Sequence, residues 1–591
     1  MKKKLIMMLF AISICTSVVG CTKNENTKNI DNTSAISENN EANEVDTTIQ
    51  LGDEIIINGD GAVAENNKVK ITSSGTYEIS GKLEEGQIIV EAGDEDNVDI
   101  ILNGAEVSCS NSSPIYIKNA KNASIKLLEG TESKVTDGAN YVLEDTEKNE
   151  PDAAIFSKCD LKIKGTGSLI VDANYNNGIA SKDDLEIKNG NITVTAINDA
   201  IRGRDSIVVT EGVFNINSGG DAMESNNDED AERGYITIDG GKFNINTSSK
   251  DIATQSSKGI KAITKITINN GEFEINSADD GIHSNGTIEV NGGNINISSG
   301  DDGIHADSTL DINDGNINIF KSYEGLESET ININNGNICI VASDDGINAS
   351  GGNDGSAMNG RPGQNKFQGA GKGAININGG YVYVNANGDG IDANGSISMS
   401  NGTVIVNGPE DNGNGALDYD GSFDMKGGIL VAAGSLGMAQ SPSTSSTQNS
   451  VNIMLKQQAA NTLIHIENEN GAELLTFAPS KTYQSVVICS PEIKMGESYK
   501  VYLGGTSTGA LKDGVYSNGK YSGGTEKLSF TVSSNVTTIS EEGVNVGKFN
   551  NKPGEGQMPE GRPPMSGAKP QMPVDGEKPK EDMVNEIKPR E

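Results

Sequence analysis

A short phrase that returns about every 22 residues, period-two alternation of apolar and polar residues within each repeat, and Gly- and Asn-rich turns between them predict the fold class. It is all-β: a right-handed parallel β-helix, about 22 residues per coil, with a small C-terminal β region. The phrase is Asn177-Gly178-Ile179, then Asp199-Ala200-Ile201, Asp221-Ala222-Met223, Lys258-Gly259-Ile260, Asp280-Gly281-Ile282, Asp302-Gly303-Ile304, Glu324-Gly325-Leu326, Asp345-Gly346-Ile347 and Asp389-Gly390-Ile391. Gly178, Ala200 and Ala222 stand 22 residues apart, as do Gly259, Gly281, Gly303 and Gly325. The step to Gly346 is 21, and the step on to Gly390 is 44, two units. From Ala222 to Gly259 it is 37, one unit plus a 15-residue insertion.

Within a unit the pattern is that of strands. Ile288 and Val290 alternate with polar residues, Asn291-Gly292-Gly293 turns, Ile295 and Ile297 alternate again, and Ser299 to Gly303 turns before Ile304 and Ala306. Alternation of this kind gives each strand one buried face. Gly and Asn supply turn conformations that other residues resist. Leu310, Ile331, Ile266 and Ile207 fall in the slot of Ile288, and Phe214, Phe243, Phe273, Ile317, Ile338 and Val382 in that of Ile295. Like slots then stack about 4.8 Å apart from coil to coil. No unit holds a helix or a Leu-rich consensus, which excludes leucine-rich repeats. Parallel crossovers favour the right-handed sense.

The remaining elements follow in chain order. Residues 1–20 read as a signal peptide: Lys2, Lys3 and Lys4, a short apolar run from Leu5 to Ile14, then Val18-Val19-Gly20 before Cys21. This junction resembles the lipobox of bacterial lipoproteins, which implies lipidation of Cys21 and an anchor at the extracellular face of the cell membrane. Residues 21–50, rich in Asn, Glu, Thr and Ser, read as a flexible tether. Residues 51–440 form the β-helical body, its irregular first part (51–150) serving as opening coils and N-terminal cap. Residues 350–373 are a Gly- and Asn-rich excursion from one coil. Residues 450–535 keep strands such as Leu463-Ile464-His465-Ile466 but lose the repeat, and 536–591 are a Pro- and Gly-rich tail expected to be disordered.

Composition narrows the function. The chain of 591 residues has 72 Gly, no Trp and 4% aromatics, too few large side chains for an ordinary core of this length. A net charge of −37 repels phosphates, which argues against nucleic acid as a partner and for divalent cations. Apart from Cys15 and Cys21, the cysteines at 109, 159, 339 and 489 show no metal-type spacing.

A series of phrases carries a family resemblance. Ser74-Gly75-Thr76-Tyr77, Gly86-Gln87-Ile88-Ile89-Val90, Ile101-Leu102-Asn103-Gly104, Glu129-Gly130-Thr131 and Thr136-Asp137-Gly138 come first. Ala154-Ile155-Phe156-Ser157, Asp160-Leu161, Gly165-Thr166-Gly167-Ser168-Leu169 and, later, Thr476 to Tyr483 follow in order. Residues 51–535 thus resemble bacterial carbohydrate-binding parallel β-helix proteins, cellulose- or pectin-binding and often lipoproteins, related in fold to calcium-dependent pectate lyases. The resemblance implies binding of acidic or plant cell-wall polysaccharide, with calcium on the helix.

The residues themselves carry two kinds of candidate site. Asp199, Asp221, Asp280, Asp302, Glu324 and Asp345 form one acidic column, interrupted by Lys258 and doubled by Asp279, Asp301 and Asp344. Like charges about 5 Å apart repel by about 3–4 kcal/mol at an effective dielectric of 20. Calcium, which takes six to eight oxygen ligands, reverses that sign. Asp279, Asp280, Asp301, Asp302, Asp344 and Asp345 are therefore the expected metal ligands; the alternative is that these side chains only bond turn amides. His283 and His305 share a slot in successive coils and read as exposed. Tyr381 and Tyr383 fall in outward slots beside Val382 and Val384, where they either stack on sugar rings or lie under the 350–373 excursion. An enzyme reading needs a Lys or Arg base beside calcium; Asp389, Asp392 and Lys426 are its best set, with Arg202, Lys258 and Lys261 near the acidic column. A solvated acidic face explains the same residues, so the expectation is a non-catalytic polysaccharide binder. A pectate lyase-like enzyme and a surface adhesin or spacer are the alternatives.

Overall fold

The computed structural model describes residues 44–248, 256–350 and 372–544. The expected signal peptide, Cys21, residues 351–371 of the excursion and the tail beyond 544 lie outside the described residues. Among the described residues there is no α-helix, and 44 strands belong to one continuous sheet.

The pairing explains the period. Through the regular part each strand pairs in parallel with the third strand after it, so the chain lays down three ladders. The first holds the recurring phrase, with Ile179 opposite Ile201, Ile201 opposite Met223, and Ile260 opposite Ile282. The second sets Leu185 against Ile207, Ile207 against Ile236 and Ile236 against Ile266. The third sets Phe214 against Phe243 and Phe243 against Phe273. All of these side chains are buried in one continuous apolar core. The three Phe rings stack at 4.6 and 4.7 Å between centroids, nearly parallel, which is the spacing of neighbouring strands.

The small residue at the centre of the phrase has a steric cause. A Cβ on Gly281 would lie 2.6 Å from the Gly303 carbonyl oxygen and 2.7 Å from Ile297. The backbones of successive rungs pass too close there for a side chain.

The parallel stacking ends at Ile429–Gly434, which pairs antiparallel with Tyr483–Cys489. A separate six-stranded sheet follows, in the order Ala510–Lys512, Val515–Ser517, Glu473–Phe477, Ile464–Asn468, Ser498–Leu503, Thr525–Thr531. Its apolar residues Ile464, Phe477 and Val501 share a second core with Cys339, Tyr383, Ile405 and Val431 on the outer face of the third ladder. Two expected boundaries move. Residues 47–50, placed in the tether, belong to the strand Thr47–Leu51, which pairs with Tyr77–Gly81. Val536–Ser540, placed in the tail, pairs with Ser450–Met454.

Candidate functional site

Two polar columns run side by side along the first ladder. One is the turn residue of the phrase. Asp199 Oδ1 accepts the backbone N–H of Asp221 at 3.0 Å, Asp221 Oδ1 that of Lys258 at 2.8 Å, Asp280 Oδ1 that of Asp302 at 3.0 Å, and Asp302 Oδ1 that of Glu324 at 3.1 Å. At each of these four rungs one carboxylate oxygen thus fastens the next rung's turn, the ordinary work of Asp in a turn carried across the stack. The second column is the outward residue of the short strand: Arg202, Glu224, Lys261, His283, His305, Glu327, Asn348, Asp392 and Asp418 in register.

In the middle of this stretch the charges are internally paired. Lys258, 1% exposed, donates from Nζ to Asp280 Oδ2 at 2.5 Å and lies 3.1 Å from Asp279 Oδ2. His283 Nδ1 sits 2.8 Å from the same Asp280 oxygen. His305 Nδ1 meets Asp302 at 3.1 Å and Glu327 at 3.0 Å, and its Nε2 meets Asp307 at 3.2 Å. The expectation of exposed histidines is therefore corrected: both rings are buried, because the flanking carboxylates close around them. Burial alone would lower the His305 pKa, yet the carboxylates of Glu327, Asp302 and Asp307 hold it well above the usual histidine range. Burial raises Asp280, but Lys258 and the two histidines outweigh it and pull it below the usual carboxylate range. Burial, then neighbouring Asp280, raise Asp279 to about 6.

Further along the stack the compensation ends. One oxygen each from Asp345, Asp389 and Asp392 lie within 4.8 Å of one another, and no ion pair joins these three to a Lys or Arg among the described residues. Burial comes first and neighbouring carboxylates second in raising Asp345 to about 8 and Asp392 to about 7. Burial, then Asp418, Asp344 and Asp411, outweigh a backbone hydrogen bond and raise Asp389 to about 7. Asn348, one rung before Asp392 in its column, keeps a buried Oδ1 without a hydrogen-bond partner among the described residues. Three carboxylates beside an unsatisfied amide carbonyl are a donor set that fits a hard divalent cation.

The six expected metal ligands thus divide. Asp279, Asp280 and Asp301 lie together, but Lys258 occupies the first two; Asp302 belongs with His305 and Glu327; Asp345 joins Asp389 and Asp392. Asp344 adds its charge to the last group.

The tyrosines are corrected. Tyr383 is 3% exposed and packs in the second core. Tyr381 Oη donates to Asp513 at 2.7 Å, and the Lys512 ammonium sits 3.3 Å over its ring. Both point outward from the ladder, and the C-terminal sheet covers them. Lys426 donates to Ser398 Oγ at 3.0 Å, on the second ladder's face rather than among the carboxylates of the first. Sequence reasoning missed Lys481. Its Nζ donates to the Ala386 carbonyl at 2.5 Å and Asn387 Oδ1 at 2.9 Å, and burial lowers its pKa to about 8.

Comparison with known proteins adds one further observation. Residues 65–255 and 247–303 match a family model described as carbohydrate-binding domain-containing protein. That stretch is similar to carbohydrate-binding domains. A protein of that description from Acetivibrio thermocellus is 44% identical over 139 residues, which are 24% of this chain and 49% of the relative. The chain therefore spans about half the length of this curated relative. A solved structure of a polysaccharide lyase-like protein from C. thermocellum, a gadolinium derivative, is 33% identical, covers 45% of this chain and 97% of that one, and superposes with a TM-score of 0.38.

Proposed function

We propose that this protein binds polysaccharide outside the cytoplasm, anchored by a lipid on Cys21 at the outer face of the cell membrane. In this reading the three ladders close into a right-handed parallel β-helix, and calcium is held by Asp345, Asp389 and Asp392. The observation that carries the reading is the match of residues 65–303 to carbohydrate-binding domains. The uncompensated carboxylates support the calcium. A net charge of −37 keeps a bare polyanion away, so an acidic cell-wall glycan reaches this face through a bridging cation.

The test is affinity electrophoresis of the protein in gels containing polygalacturonate or other soluble cell-wall polysaccharides, with calcium and with chelator. Retardation that calcium restores is the expected result. Free migration in every polysaccharide would overturn the reading.

One observation favours a second reading. A polysaccharide lyase needs a neutral base beside its cation. Lys481, lowered to about 8, is hydrogen-bonded to Asn387, two residues before Asp389. A rise in the absorbance of unsaturated products from polygalacturonate, abolished by Lys481→Ala, would establish the lyase.

A further inference from the structure

A second polar surface, away from the carboxylate columns, lies on the outer face of the second ladder. It is a groove of about 640 Å³ running from the rung at Asn97 to the rung at Tyr235. Those six strands span about 24 Å at the usual strand spacing, and the volume is that of an ordinary ligand cleft. A smaller cavity of about 260 Å³ continues it along the same ladder. Tyr235 lines both and is the one aromatic ring in either lining among the described residues.

The chain builds this groove at a cost in length. From the strand Ile201–Gly203 to Ser206–Val209 it uses two residues, Arg204 and Asp205; one rung later, from Met223–Ser225 to Tyr235–Ile238, it uses nine. That excursion is pinned by Arg233, whose Nη1 reaches both oxygens of Asp184 at 3.2 Å and Asp205 at 3.5 Å. Its residues Ala231 and Glu232 wall the smaller cavity beside Tyr235.

The floor pairs donors with acceptors. Lys162 Nζ lies 2.6 Å from Glu186, and Lys164 Nζ lies 3.2 Å from Asp99. Val208, outward on the strand beside Tyr235, adds an apolar contact. With Arg233 on Asp184, Asp160 is the lining carboxylate left without a Lys or Arg ion pair among the described residues. A polyuronate or phosphate chain meets repulsion there. Sugar hydroxyls, each both donor and acceptor, can bridge the ammonium–carboxylate pairs while a ring face packs on Tyr235 and Val208.

We infer that this groove is a second, calcium-independent glycan site that takes a linear uncharged polysaccharide, with Tyr235 as its stacking platform and Lys162 and Glu186 as hydroxyl partners. The inference rests on the polysaccharide-binding reading and adds the place, the contacting residues and the independence from calcium.

The test is affinity electrophoresis of the full protein in hydroxyethyl cellulose and in xyloglucan with chelator present, beside polygalacturonate with calcium. Tyr235→Ala should weaken the uncharged-chain affinity at least tenfold. Lys162→Ala, at a half-buried outward position, should weaken it at least threefold. Lys242→Ala, on the third ladder, should leave it unchanged, and all three should keep calcium-dependent retention on polygalacturonate. Uncharged-chain binding undiminished in both groove variants overturns the inference and leaves the proposed function standing. Wild-type retention by polygalacturonate alone does the same. Retention by no polysaccharide overturns both.

Discussion

Lys258 Nζ lies 2.5 Å from Asp280 Oδ2, and both side chains are withdrawn from solvent. Lys258 stands in the turn column where the other rungs from Asp199 to Asp389 carry Asp or Glu, so the stack supplies its own counter-charge at this rung. Removing it takes the ammonium from Asp279 and Asp280 and leaves Asp280 with the two histidines alone as compensation. Breaking a buried pair by removing one partner typically costs about 3–5 kcal/mol. Lys258→Met should lower stability by about that amount, and adding Asp280→Asn should recover much of it. Denaturant midpoints of the single and double variants check this.

Among the described residues the carboxylates of Asp345, Asp389 and Asp392 have no such partner. Asp389→Asn with Asp392→Asn should abolish calcium binding by calorimetry and remove any calcium-dependent rise in melting temperature. In the wild type, calcium at a hundred times its dissociation constant should stabilise by about 2.7 kcal/mol. Asp279→Asn should leave calcium binding intact, since its cluster is already occupied by Lys258.

The same three groups set a pH dependence. They titrate at about 7 to 8 in the folded chain against 3.8 ordinarily, so the folded state holds protons that the unfolded chain has released. Their contribution to stability is complete below about pH 3.8 and is lost as pH rises through 7 to 8. His305, raised above the usual histidine range, loses its contribution in the same direction at higher pH. Cation-free protein should therefore melt lower at pH 8.5 than at pH 5.5, and calcium should raise the melting point more at pH 8.5. Thermal scans at the two pH values, with and without chelator, decide it.

Tyr383 should matter for folding rather than for sugar. Truncating a buried aromatic side chain costs about 3–5 kcal/mol. Tyr383→Ala should lower the melting temperature and leave the affinity for any polysaccharide unchanged, as measured by electrophoresis below the melting transition.

The all-β class and the buried slots were legible in the sequence because alternation is local: Ile288, Ile266 and Ile207 declare their facing within a few residues. The outward direction of Tyr381 and Tyr383 was equally legible. Their burial was not, because Asp513 comes 132 residues after Tyr381 and nothing near the tyrosines announces it. The histidines failed for a related reason. An outward slot normally means solvent, and only the three-dimensional closeness of Asp280, Asp302 and Glu327 makes it dry. Lys258 was visible as the odd residue of its column, while the reach of its ammonium to two carboxylates was not. Lys481 lies in a quoted phrase, but its lowered pKa depends on burial against a turn 94 residues earlier. The groove at Tyr235 left only an irregular spacing as its trace, part of the insertion between Ala222 and Gly259.

The bond from a turn Asp to the next turn's amide asks only for a backbone N–H at the same point of the next rung. It survives a step of 37 residues, from Asp221 to Lys258, as well as steps of 22. In-frame duplication or loss of one unit would therefore recreate the same fastening at the new junction. Length is thus a variable that inheritance can tune in whole rungs, lengthening or shortening the displayed surface while each junction keeps its chemistry.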